Sequence, residues 1–141
     1  MKNYRALAKL RKQQFDRAEQ ALATINASLH RLRQKRESLR KEFAAIEPPA
    51  SGSGGMLGLV VQQRRAMQQL LDTLQQQIAH EETRRHEAQQ RLKEAHVAWE
   101  QAKSIESQLL TQLLKKRARL EQGHLDEIAS QRFWRKRNEE R

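Results

Sequence analysis

Pro48-Pro49-Ala50-Ser51-Gly52-Ser53-Gly54-Gly55 contains both prolines of the chain and three of its five glycines. Proline removes a backbone donor and clashes with the preceding turn, while glycine loses the most conformational entropy on entering a helix, so a helix arriving here stops. The residues on either side show helical patterning of about 45 and about 80 residues without another proline. The reading that follows is all-α: a two-helix antiparallel coiled-coil hairpin with a longer, overhanging C-terminal helix. Helix one is expected over about residues 2–47, a flexible turn over about 48–56 and helix two over about 57–137. The whole of 1–141 is then a single coiled-coil domain.

The period of the apolar residues decides how the helices pack. Upstream of the break the series is Phe15, Ala18, Leu22, Ile25, Leu29, Leu32, Arg36, Leu39, Phe43 and Ile46, with spacings alternating between three and four. This 3.5-residue repeat is the seam of helices that wind around one another, and only Arg36 interrupts it. Downstream the series runs through Val60, Met67, Leu71, Leu74, Ile78, Ala88, Leu92, Ala95, Trp99, Ala102, Leu109, Leu113 and Leu120. Arg64, Glu81, Arg85, Glu106 and Lys116 occupy its polar seam positions, where they lower stability and disfavour slipped registers. Glu81 to Ala88 is the stretch expected to pair most weakly.

A turn centred near Gly52 would set residue i opposite about 105 − i. Trp99 would then lie near Ala8, and Ala88 near Phe15, large against small. Helix one would run out opposite about residue 103, leaving roughly 50 Å of a helix about 120 Å long without a partner. That overhang carries Ile105, Leu109, Leu110, Leu113, Leu114, Leu120, Leu125, Ile128, Phe133 and Trp134. An apolar stripe of this length implies a second protein or a second copy of the chain. Gly123-His124 marks a place where the helix is expected to kink or fray.

Composition bounds the function. With 37% hydrophobic and 32% charged residues, the chain can fill a narrow seam but not a globular interior. Cysteine is absent, which excludes disulfides and thiolate metal sites. The basic N-terminus is followed by no apolar run resembling a secretory signal, and no stretch approaches the roughly 18 apolar residues of a membrane span. A soluble cytoplasmic protein is the expectation. The net charge of +11 is uneven, with 12 basic and 5 acidic side chains in residues 1–47 against 16 and 12 in residues 48–141. Such a field attracts acidic proteins, nucleic acid or anionic lipid.

Catalytic chemistry finds no footing. His80-Glu81-Glu82 and His86 put the second histidine at i+6, on a different helix face from the first, whereas the zinc-protease pattern needs i+4. Gly52-Ser53-Gly54-Gly55 lacks the Gly-Lys-Ser/Thr ending of a phosphate-binding loop. Arg31, Arg33, Lys35, Arg36, Arg40 and Lys41, and the later cluster Arg132, Arg135, Lys136 and Arg137, could contact phosphates. Few aromatics are interleaved and the first cluster shares its helix with the seam, so specific nucleic-acid binding is not expected, although a basic RNA-binding helical arm remains an alternative. No enzyme activity, cofactor or metal is expected.

Glu94-Ala95-His96-Val97-Ala98-Trp99-Glu100-Gln101-Ala102-Lys103, a Leu-rich helix, and then His124-Leu125-Asp126-Glu127-Ile128-Ala129-Ser130-Gln131-Arg132 resemble the FliJ family of flagellar type III export proteins. The opening Leu7-Ala8-Lys9-Leu10-Arg11-Lys12 is similar to that family's first helix. The resemblance implies a non-enzymatic stalk, related in form to the two-helix part of a rotary ATPase gamma subunit. Its implied partners are the export ATPase hexamer, the cytoplasmic domain of the export gate protein and export chaperones. It places the protein at the cytoplasmic face of the export apparatus, touching the membrane only through partners. A virulence-type secretion stalk is the nearest alternative. Aligned on Trp99, Leu70, Leu74 and Glu81 fall where relatives contact the gate, with Glu81 departing in type. Leu125, Asp126, Glu127, Arg132 and Arg135 are the residues expected at the ATPase ring.

Overall fold

A computed structural model describes residues 2–46 and 54–140. The fold is all-α: α1 spans Lys2–Ala45 and the longer α2 spans Gly54–Glu139. Gly54, Gly55 and Met56, expected in the turn, belong to α2. The remainder of the expected turn lies outside the described residues. No helix among the described residues is long and apolar enough to cross a membrane.

Two compact units are present, one formed by Gln14–His96 and the other by Met1–Gln13 with Val97–Arg141. In the first, Ile25, Leu29, Leu74, Ile78 and Ala88 form a buried core, with Leu22, Leu32 and Leu39 packed against it. Leu29 and Ile78 are each 1% exposed. Every one of these residues lies on the 3.5-residue seam, since that period holds one face of each helix against its neighbour. In the second unit Ala8 and Ala102 are buried, while the Trp99 ring carries the Lys103 ammonium at 4.0 Å and the Lys12 ammonium at 5.3 Å from its centroid. Arg5 Nε lies 3.7 Å from Glu106 Oε1.

The pairing is antiparallel but its register differs from the expected one. Phe15 meets His96 and Arg36 meets Gln75 in the first unit; Lys12 meets Trp99 in the second. Residue i thus faces about 111 − i. Lys12 takes the place opposite the Trp99 ring, Phe15 meets His96, and Ala88 joins the core containing Ile25. The offset is visible at the end of α1. Arg64 reaches the end of α1, where its Nη2 donates to the Ile46 carbonyl at 2.9 Å and its guanidinium sits 5.8 Å from the Phe43 ring centroid. The first ten residues of α2 therefore precede the level at which α1 ends.

Arg64 thereby satisfies a backbone carbonyl at the end of α1, a place where helices leave acceptors without internal partners. It is exposed rather than buried in the seam. α2 also continues through Gly123 without fraying there. A single glycine in a helix interior costs only about 1 kcal/mol relative to alanine, and long flanking helical segments absorb that cost.

Arg36 is the one position between Phe15 and Ile46 where the apolar series breaks, and its Nε is buried without a partner; Nη1 donates to Gln75 Oε1 at 3.3 Å. Replacing a partly satisfied buried cation by an apolar residue of similar size is often stabilising. Arg36→Leu is expected to raise stability by roughly 1 kcal/mol, read as a higher denaturant midpoint in circular dichroism. A midpoint at or below wild type would show that Arg36 contributes more through its Gln75 contact than it loses by burial.

Candidate partner-binding faces

Two exposed stretches of α2 offer side chains to partners, and each results from one helix continuing past the other. At the start of α2, Met56, Leu57, Leu59 and Val61 are exposed, because this part of the helix precedes the level of Ile46. From Gly54 to Leu71 the only charges are Arg64 and Arg65. The uncharged run was a visible signal, but the symmetric turn assumed from sequence hid its exposure.

Leu70 is 55% exposed and projects from the first unit as an apolar contact. Leu74 and Glu81 do not share that position: Leu74 is 3% exposed and Glu81 8%. Both stand in the seam that their spacing implied, so of the three only Leu70 presents its side chain to solvent. Glu81 Oε1 accepts from Arg84 Nη1 at 2.7 Å, one turn along the same helix, while Oε2 is buried with no hydrogen-bond partner. The neighbouring Glu82 is differently placed. Its Oε1 accepts from Arg33 Nη2 across the seam at 3.1 Å.

Beside Glu81 lies an open groove of about 380 Å³ lined by Ser28 and Leu32 from α1 and by Thr73, Gln76, Gln77, His80 and Glu81 from α2. Thr73 was not singled out by sequence and His80 was weighed only as a metal ligand, since nothing in the period of a helix marks which polar residues border a dent in its seam. Among the described residues no group of three or more His, Cys, Asp or Glu side chains could hold a metal ion.

The second stretch is the C-terminal part of α2. Leu109 is half-buried, whereas from Leu110 to Glu139 every residue but Ile128 is exposed. The transition fits the register, in which the first residues of α1 lie at the level of Leu109. Leu110, Leu113, Leu114, Leu120, Leu125, Phe133 and Trp134 give this part its apolar surface. Leu125, Asp126, Glu127, Arg132 and Arg135 all lie on it and are exposed. Gln122 Nε2 donates to Asp126 Oδ1 at 3.0 Å, a one-turn spacing that holds the carboxylate against the helix. Glu127 and Arg135 border the same shallow depression as Ser130, Gln131 and Trp134. Arg137 lies over the Trp134 ring, 5.8 Å from its centroid. Aromatic and cationic groups are thus interleaved here, the combination enriched where proteins bind one another.

Comparison with known proteins gives one family. The family model described as flagellar FliJ protein matches residues 1–138. No curated protein and no solved structure matches the chain.

Proposed function

The chain belongs to the flagellar FliJ protein family, a component of the flagellar export apparatus, and on that premise we propose that it is the non-enzymatic stalk of that apparatus. In this reading the C-terminal part of α2 enters the export ATPase ring through Leu125, Asp126, Glu127, Arg132 and Arg135. The face marked by Leu70, with Leu74 and Glu81 behind it, meets the cytoplasmic domain of the export gate, and the same protein assists the cycling of export chaperones. It works at the cytoplasmic face and couples two assemblies by occupying both.

The observation that carries the reading is the exposed stripe from Leu110 to Trp134. Apolar side chains repeated over 25 residues, with cations between them, form a surface that a soluble monomer rarely leaves bare. The charge favours an acidic mouth on the ring, because complementary fields speed encounter and fix orientation. Arg132→Glu combined with Arg135→Glu is expected to weaken ring capture by roughly tenfold or more, with the loss shrinking at high salt. Surface plasmon resonance against the assembled ATPase measures it. Equal affinity for variant and wild type at low salt would remove these two residues from the interface.

A further inference from the structure

We propose that the groove beside Glu81 receives a cationic side chain, arginine or lysine, presented by a protein partner. The inference deepens the reading of the gate-facing surface and rests on it only for the identity of that partner. The starting point is the unequal treatment of the two oxygens of one carboxylate. Oε1 of Glu81 is held by Arg84 at 2.7 Å; Oε2 is buried and has no partner. A carboxylate accepts on both oxygens, and a buried acceptor left without a donor is unfavourable. Glu81 itself is 8% exposed, so this is a fixed acceptor rather than a solvated surface group.

The surroundings select the donor. The groove is lined by the apolar Leu32, by the hydroxyls and amides of Ser28, Thr73, Gln76 and Gln77, and by His80. No lysine or arginine is among the lining residues. Arg84 lies outside the lining and is already engaged at Oε1, and Arg33 is engaged by Glu82. On a protein of net charge +11, the groove is a local acidic exception. An arginine or lysine has the matching anatomy: its methylene stem covers Leu32 while its charged head meets the Glu81 carboxylate at the groove wall. The pair so formed is charge-assisted, the stronger class of hydrogen bond. A metal ion fits less well, because Glu81 and His80 are the only such ligands among the lining residues and two do not complete a coordination shell.

The test uses the full chain labelled with nitrogen-15 and three blocked tripeptides: Leu-Arg-Leu, Leu-citrulline-Leu and Leu-Glu-Leu. Citrulline keeps the shape of arginine and removes its charge. The arginine peptide is expected to produce saturable amide shifts confined to residues 28–32 and 73–81. Its affinity should exceed that of the citrulline peptide by roughly tenfold, while the glutamate peptide produces no shifts there. Glu81→Gln and Glu81→Leu should both lose the response; the second variant keeps the seam apolar and the helices paired, so loss of folding cannot explain its silence. Equal shifts from arginine and citrulline peptides, retained binding in Glu81→Gln, or no localised shift up to about 10 mM peptide would each overturn the proposal. Capture of the export-gate domain is measured separately. If the peptide result holds while wild type fails to capture the gate domain, the groove stands and the assignment of its partner falls.

Discussion

Truncation after Leu109 is expected to abolish capture of the export ATPase ring while leaving the helices of residues 14–96 paired. The cut falls where the register ends: Leu109 is half-buried, and the helix beyond it is exposed but for Ile128. The deletion removes an exposed apolar surface that includes Leu120 at 66% and Phe133 at 64% exposure. It also removes nine Lys/Arg and five Asp/Glu residues, or +4 of the net +11. Apolar contacts mainly slow dissociation, whereas the charge mainly accelerates encounter, so both rates suffer together. A loss of at least about 100-fold in affinity corresponds to roughly 2.7 kcal/mol, less than the upper range for one interface hot spot. Stability should respond far less, because exposed residues contribute little beyond helix propensity, tenths of a kcal/mol each. Surface plasmon resonance and thermal circular dichroism on the same sample separate the two effects. Undiminished ring capture by residues 1–109 would place the ring contact elsewhere and leave the stripe without its proposed partner.

The alternation of three and four was enough to locate the seam on α1. All ten positions from Phe15 to Ile46, including Arg36, are buried or half-buried, because a helix held against a neighbour has only one face to bury. Register was harder. A 3.5-residue repeat is satisfied by several alignments, and the choice among them depends on how far α2 runs before it meets the end of α1. Gly54 and Gly55 suggested a wide turn, yet both are helical and neither has a positive φ. The apparent fit of Trp99 to Ala8 supported the wrong alignment, because it ignored that Trp99 could instead take cations on its ring, as it does from Lys12 and Lys103.

Exposure of the C-terminal stripe was legible because nothing else in the chain is long enough to cover it. For the residues that the resemblance sets at the gate, exposure was legible only in part. Leu74 and Glu81 entered two arguments, as seam positions by spacing and as contact positions by resemblance, and the structure buries both while leaving Leu70 exposed. What sequence could not reveal is the state of individual atoms. That one oxygen of Glu81 is engaged and the other is not depends on an Arg84 rotamer and on the local depth of the seam, neither of which follows from a helical period.

Leu29→Ala and Ile78→Ala are expected to be the most damaging single substitutions within residues 14–96. Both side chains are 1% exposed and belong to one core cluster with Ile25, Leu74 and Ala88. Truncating a buried Leu or Ile to alanine costs about 2–5 kcal/mol, from lost transfer energy plus the cavity left behind. In a two-helix seam no third layer can move in to fill the space, yet water can enter from either side, which places the expected loss near 3 kcal/mol. Against a total of about 5–15 kcal/mol, that is a large fraction. The accompanying fall in melting temperature should be on the order of 10–20 °C for a unit of this size. Leu120→Ala provides the control: it makes a change of the same chemistry at a 66% exposed position, and should shift the midpoint by less than about 0.5 kcal/mol. Because Leu29 and Ile78 share a cluster, the double variant should deviate from the sum of the singles. Denaturant melts of the four proteins decide the matter. Equal, small losses at positions 29, 78 and 120 would mean that the seam is not what holds the helices together.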